Sequence, residues 1–286
     1  NWLGKGVTVS ANADLSADSV SGSLSLTDPD YNFTGKELSY YLKSVQNDKK
    51  DSGYENDVIG TGVSLSYEKF KDIYFSPGLS LTYDDLTTDN TASALLKKQS
   101  GSSTDLMFDY ALSSDKRDRR FMPTAGHLTS FYQQLPVFAD QPHLKNNFST
   151  RHYKEFSEDM IGALKFGVTA INGLNDEDVR ISQRLNLSTS KLRGFEPGKI
   201  GPKDGDDFIG GNYSTSLNLE ANFPNFFPEK SNADIGLFLD AGNVWGVDYS
   251  DSIDDSNKLR STAGANFSWL SPAGPLSFVF SKNITK

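Results

Sequence analysis

Cysteine is absent from the 286-residue chain, so it can hold neither a disulfide framework nor a thiolate metal site. Histidine is almost as scarce. His127, His143 and His152 lie in three separate segments, without the spacing that places two ligands on one helix face. There is no G-x-S-x-G elbow and no glycine-rich phosphate loop ending in Lys-Ser/Thr. The one pair of carboxylates on a common face, Asp105 and Asp109, reads as polar lining rather than acid–base machinery. No catalytic residue, cofactor or metal is therefore expected.

Long apolar runs are missing too. Mean hydropathy is −0.48, and no stretch reaches the ~18 consecutive apolar residues of a membrane-spanning helix. That leaves a transmembrane barrel open, because a barrel strand shows lipid only every second side chain. The net charge of −9 argues against nucleic acid as a partner. The acidic excess gathers at Asp84-Asp85, Asp204 to Asp207 and Asp251 to Asp255. These read as solvated loops, with divalent-ion bridging to anionic lipid headgroups as the alternative.

What the chain does have is alternation. Val7, Val9, Ala11 and Ala13 are interleaved with Thr8, Ser10, Asn12 and Asp14. The same period runs through Val63, Leu65 and Tyr67; Leu79, Leu81 and Tyr83; Leu217, Leu219, Ala221 and Phe223; and Ala263, Ala265, Phe267 and Trp269. A period of two is the mark of a strand with unlike faces. Roughly fourteen such segments follow one another at the spacing of antiparallel up-and-down strands. Thr91 to Lys98 reads as a short helix in a connection, and Asn47 to Asn56 and Asn172 to Asp178 read as polar turns. No linker or composition break divides the chain, so one all-β domain over 1–286 is expected.

A soluble sandwich or propeller could use the same pattern. Two features favour lipid. The polar face is rich in Ser, Thr, Asn and Asp, as a wet lumen requires. Aromatics collect near strand ends (Tyr40-Tyr41, Tyr74-Phe75, Phe223, Phe226-Phe227, Trp245 and Trp269), as interfacial girdles do. Closure also removes the exposed edges of so many strands.

Between two strand-like runs lies Leu192-Arg193-Gly194-Phe195-Glu196-Pro197-Gly198-Lys199-Ile200-Gly201-Pro202, a loop whose Pro and Gly content implies a fixed shape. Arg193 has two readings: solvated at the surface, or folded into the lumen against an inner-wall carboxylate. Glu220 shares the parity of Ser216 and Asn218, and Asp240 stands opposite in parity to Ile235, Leu237 and Leu239. Either could accept a planar, bidentate guanidinium.

Several collinear segments carry a resemblance. Asn1-Trp2-Leu3-Gly4-Lys5-Gly6 is similar to an N-x-L-G-x-G start, and Asp28-Pro29-Asp30-Tyr31 with Phe33 and Gly35 to a following hairpin loop. Asp118-Arg119, Pro123-Thr124 and Gly126 fit D-R-x-x-x-P-T-x-G; Leu192-Arg193-Gly194-Phe195 fits V/L-R-G-F/Y, followed by Ile200-Gly201-Pro202 and Gly210-Gly211-Asn212. Phe238, Asp240 and Gly242 to Trp245 fit F-x-D-x-G-x-V-W, and Ser271-Pro272-Ala273-Gly274-Pro275-Leu276 fits S-P-x-G-P-L. Over essentially its whole length the chain resembles the bacterial surface antigen superfamily of outer-membrane assembly and translocation barrels, most of all its barrel-assembly branch. It departs from that family at Asn186 to Ser190, which lacks the Gly-Gly pair common before the R-G-F signature.

The resemblance implies an integral outer-membrane barrel of about sixteen strands, with the first and last of them and the preceding periplasmic POTRA domains lying outside this sequence. It implies that the R-G-F loop (Leu192, Arg193, Gly194, Phe195) folds inward and that Arg193 contacts Glu220 and Asp240. It implies assembly and insertion of β-barrel proteins through a lateral seam. Unfolded β-barrel clients, outer-membrane lipids and periplasmic lipoprotein subunits would be the partners. A translocator of the same family, serving two-partner secretion or autotransporter assembly, is the alternative; a passive porin and a membrane-embedded hydrolase stand further off.

Overall fold

The computed structural model describes residues 6–16, 18–224, 226–228, 233–249, 253, 258–271 and 274–285. The motif residues Asn1 to Lys5, Pro272 and Ala273, and the aspartates of the 251–255 cluster, lie outside them. Period-two segments become strands where the alternation predicts. In order these are β1 (Thr8–Leu15), β2 (Ser19–Asp28), β3 (Glu37–Lys49), β4 (Tyr54–Phe70), β5 (Ile73–Thr88), β6 (Gly101–Asp115), β7 (Gly126–Ala139), β8 (His143–Ser157) and β9 (Met160–Gly173). The short pair β10 (Lys203–Asp204) and β11 (Asp207–Phe208) follows, then β12 (Tyr213–Phe223), β13 (Ala233–Trp245), β14 (Arg260–Ser271) and β15 (Gly274–Thr285).

Thirteen strands form one antiparallel up-and-down wall in the order β1 to β9, β12 to β15, while β10 and β11 pair only with each other. The sequence count of about fourteen falls between the thirteen of the wall and the fifteen found among the described residues. Among the described residues β1 and β15 each pair on one side, so they are the edges of the sheet.

The apolar rows face outward. Leu24, Leu42, Leu79, Leu81, Leu219 and Leu239 are all exposed, an arrangement that water would penalise and hydrocarbon rewards. Aromatic pairs mark the rim with the short turns: Tyr67 with Phe75, and Phe227 with Phe267, each near-perpendicular at 89°. At the opposite rim Tyr213 lies 5.8 Å from Trp245. Tyr41 does not belong to a girdle. It turns inward, where a Cβ at Gly62 would meet its ring at 2.5 Å. Alternation assigns Tyr40 and Tyr41 to opposite faces, so only Tyr40 can face outward.

The longest short-end turn, 116–125, is the D-R-x-x-x-P-T-x-G motif. The Asp118 carboxylate accepts from the Thr124 amide (3.0 Å), the Ala125 amide (3.1 Å) and the Thr124 hydroxyl (2.9 Å). Gly126 has φ +92°, and a Cβ there would lie 2.0 Å from the Lys116 carbonyl oxygen, so only glycine fits. The Ala125 amide, with Thr124 next, holds the Asp118 pKa down to about 2. Because the folded value lies below the unfolded ~3.9, this stabilisation is complete above about pH 4 and vanishes as pH falls through about 2. Amide exchange at Thr124 and Ala125 should therefore stay slow down to about pH 3 and accelerate below it; Asp118→Ala should make it fast throughout.

The other rim is filled rather than open. Its largest connection, between Gly173 and Tyr213, packs into the lumen. Ile181 and Ile209 from this loop join Tyr54, Leu86, Ala92 and Leu96 in an apolar cluster. Leu96 comes from the connecting helix α1 (Ala94–Lys97), inside the span where the sequence predicts one. Ser93 caps it, accepting the Leu96 amide at 3.2 Å. A second cluster joins Leu187, Leu192 and Ile200 of the loop to Val244 of β13, with Phe195 packed against it.

Two expectations need correction at this rim. Asn56 sits in β4 rather than in a turn and is 4% exposed; Asp84 sits in β5 rather than in a solvated loop and is 2% exposed. The inward-folded loop supplies Asp84 with partners, and Asn56 bonds to Asn47 and Asp84 of the wall beneath it.

Candidate functional site

Arg193 lies inside the barrel. Its Nε donates to Asp240 Oδ2 at 2.7 Å and an Nη donates to Asp240 Oδ1 at 2.6 Å, the two-point geometry of a guanidinium–carboxylate pair. The backbone amide of Arg193 also donates to Asp240 Oδ2, at 3.1 Å. Glu220 Oε1 stands 2.9 Å from the same Nη. Both carboxylates that parity singled out are therefore used at once.

The wall explains this convergence. Asn218 opposes Asp240 and Glu220 opposes Phe238 across the β12–β13 ladder, so four inward side chains form one patch. Asn218 Nδ2 donates to Asp240 Oδ1 at 2.8 Å and to the Lys191 carbonyl at 2.9 Å, tying wall and loop together. The guanidinium carbon of Arg193 lies 3.6 Å from the Phe238 ring centroid, a cation–π stack on a buried ring. Room for that ring comes from β14: a Cβ at Gly264 would come within 2.6 Å of it. Lys165 of β9 completes the patch, with Nζ 2.7 Å from Glu220 Oε2.

Asp240 is fully buried and the Arg193 side chain only 13% exposed. Burial works against the charge on Arg193. The hydrogen bonds and charge of Asp240, then those of Glu220, outweigh it and raise its pKa. The R-G-F glycine is required twice over. Gly194 has φ +85°, and a Cβ there would press on Ser281 Oγ (2.6 Å) and Asn283 Oδ1 (2.9 Å) of β15. The loop tip thus touches the last strand of the sheet.

Sequence reasoning missed two further arginines in the loop. Arg180 is paired with Asp84 (Nε–Oδ2 3.3 Å) and donates to the Gly101 carbonyl. Asn47, Asn56 and Asp84 form a hydrogen-bonded row across three strands, at 2.9 and 2.7 Å, and Ser182 donates to the same carboxylate. Arg184 pairs with Asp248 and donates to Asn212 Oδ1 at 2.9 Å. Burial pushes the Asp248 carboxyl up, but Arg184, the Val179 amide and Asn212 bring it below its usual value. The only sequence signal was three arginines in one loop; nothing in an irregular segment indicates direction.

Elsewhere the expected residues fall as lining. Asp105 accepts from Ser103 and Asp109 from Ser80, both at 3.3 Å. His127 and His152 stack with centroids 5.4 Å apart, while His143 is buried at the opposite end of β8. Among the described residues no three His, Asp or Glu side chains converge as a metal site would require. Of the 204–207 acidic cluster, Asp204 accepts from Tyr249 Oη at 3.0 Å and from Ser93.

Comparison with known proteins gives a consistent picture. Residues 1–286 match the profile described as the Omp85 superfamily domain. The outer membrane protein assembly factor BamA of Neorickettsia risticii is 27% identical over 81% of this chain and 32% of its own length. BamA of Neisseria meningitidis serogroup B is 26% identical over 100% of this chain and 42% of its own. Among solved structures, BamA from Haemophilus ducreyi lacking POTRA domains 1–3 superposes with a TM-score of 0.85 at 24% identity. That match covers 100% of this chain and 62% of the other. The chain thus spans roughly a third to two-fifths of these curated relatives.

Proposed function

The chain belongs to the Omp85 superfamily, and from that premise we propose that it is the barrel of a factor that assembles and inserts β-barrel proteins in the bacterial outer membrane. It is an integral outer-membrane β-barrel, with short turns toward the periplasm and long connections outside. Its work needs no catalytic residue, nucleotide or metal. Unfolded barrel proteins are its clients, and periplasmic lipoproteins its accessory subunits.

The observation that carries this reading is the Arg193 latch and its reach. One loop is fixed to β12 and β13 through Glu220 and Asp240, and its tip leans on β15 through Gly194. An unpaired strand edge in hydrocarbon costs several kcal/mol for each unsatisfied backbone group. A barrel that keeps its cross-section by an internal latch can hold a weakly closed seam beside β15 and exchange its pairing for a client strand.

The test is depletion. Shutting off the full-length protein should leave several unrelated barrel clients unfolded, seen as loss of their heat-modifiable gel bands, and purified protein in vesicles should restore client folding. If clients fold normally and one exported protein disappears instead, the chain is a translocator and the assembly reading fails.

A further inference from the structure

On the outer face of the wall, near the short-turn rim, a groove of about 530 Å³ crosses strands β8, β9, β12 and β13. Its rows follow from register. Lys154, Gly162, Ala221 and Leu237 form one outward rung. The next rung, further from the turns, is His152, Leu164, Leu219 and Leu239. Side by side, Gly162 and Ala221 remove bulk from a row that elsewhere carries Leu, and the surface dips there.

Phe156 forms the near wall: its ring folds over Gly162 so closely that a Cβ would meet it at 2.4 Å. Lys154 holds its Nζ 5.3 Å from the centroid of that ring. The neighbouring Glu155 points to the lumen by strand alternation, so Lys154 is the outward charge at this end of β8, with Glu158 and Asp159 in the turn beyond it. With β8 ending at Ser157, its long side chain can snorkel to headgroup level.

We infer that this groove binds a single anionic phospholipid of the periplasmic leaflet, its phosphate on Lys154 and one acyl chain lying over Ala221, between Leu237 and the Phe156 ring that covers Gly162. Charge and shape argue together. A basic residue beside an apolar trough matches a molecule with an anionic head and a hydrocarbon tail, and the trough has the volume of an ordinary ligand site. A void in a wall otherwise packed against lipid forfeits dispersion contacts that a seated chain recovers. This assignment needs the barrel to sit in a membrane but does not depend on its assembling clients.

The experiment uses the full-length protein in phosphatidylcholine vesicles doped with either photoactivatable phosphatidylglycerol or photoactivatable phosphatidylcholine, with the label on the acyl chain. Cross-links are mapped by peptide mass spectrometry. With the anionic probe, labelling of residues 154–164 and 219–223 should exceed that of the equally outward Leu79–Leu81 row by about fivefold, the factor one basic residue supplies at an anionic surface. Lys154→Glu should abolish the preference for the anionic probe, and Ala221→Phe should empty the groove of label with either probe. Unchanged heat-modifiable migration will establish that each variant folds. Uniform labelling around the barrel, or equal labelling by both probes, would overturn the assignment. So would a groove that stays unlabelled while the rest of the wall is labelled, because protein would then be covering it.

Discussion

Arg193→Ala should lower the unfolding temperature of the barrel by on the order of 10 °C and sharply reduce client folding in vesicles. Asp240 is fully buried and takes three of its hydrogen bonds from Arg193. The backbone amide bond survives the substitution only if the loop stays in place. Stripping one partner from a buried ion pair typically costs about 3–5 kcal/mol, because the remaining charge is left without compensation. Glu220 would keep Lys165, so the damage concentrates on Asp240. Arg193→Lys should recover about half of the loss: the charge returns, but not the two-point contact or the flat stack on Phe238.

A second variant separates stability from mechanism. Replacing the pair together, as Arg193→Met with Asp240→Leu, removes both charges and can restore much of the heat resistance. If the latch serves only as a brace, that double variant should assemble clients as well as the parent. The proposed role requires more: a loop held at one position against β15. The double variant should therefore remain deficient in assembly even where it melts normally. A heat-stable double variant with full activity would remove the latch from the mechanism.

The wall was legible in the sequence because a strand repeats its faces every two residues. Parity alone placed Glu220 and Asp240 on the inner surface, and the R-G-F loop supplied their partner. Parity also held the information that Asn218 and Phe238 flank them, since they oppose Asp240 and Glu220 in the ladder. The plug was not legible. Arg180 and Arg184 sit in a segment without a period, so no pattern assigns them a direction. Asp84 was read as solvated because an acidic doublet near a strand end usually is. Its partners come from 96 and 98 positions away in sequence, namely Arg180 and Ser182. Such contacts exist only after the loop has folded back, and composition cannot register them.

Asp84 carries the second large effect. Arg180→Ala should cost about 3 kcal/mol, since it leaves a carboxylate only 2% exposed with Asn56 and Ser182 as its neutral partners. The structural consequence should be local to the outer rim. Ile181, whose amide donates to Gln99 Oε1 at 2.7 Å, would lose its anchor, and the cluster around Leu86 and Leu96 would loosen. Trypsin should then cut after Lys97 or Lys98 faster than in the parent, while Arg193 stays docked on Asp240. Combining Arg180→Ala with Arg193→Ala should cost less than the sum of the two, because once one anchor has released the loop the other has less to hold. Unfolding of the four proteins, measured in parallel, gives that coupling directly. Strict additivity would mean that the two ends of the loop dock as separate segments, and that the plug is not the single brace from which the seam of this barrel would move.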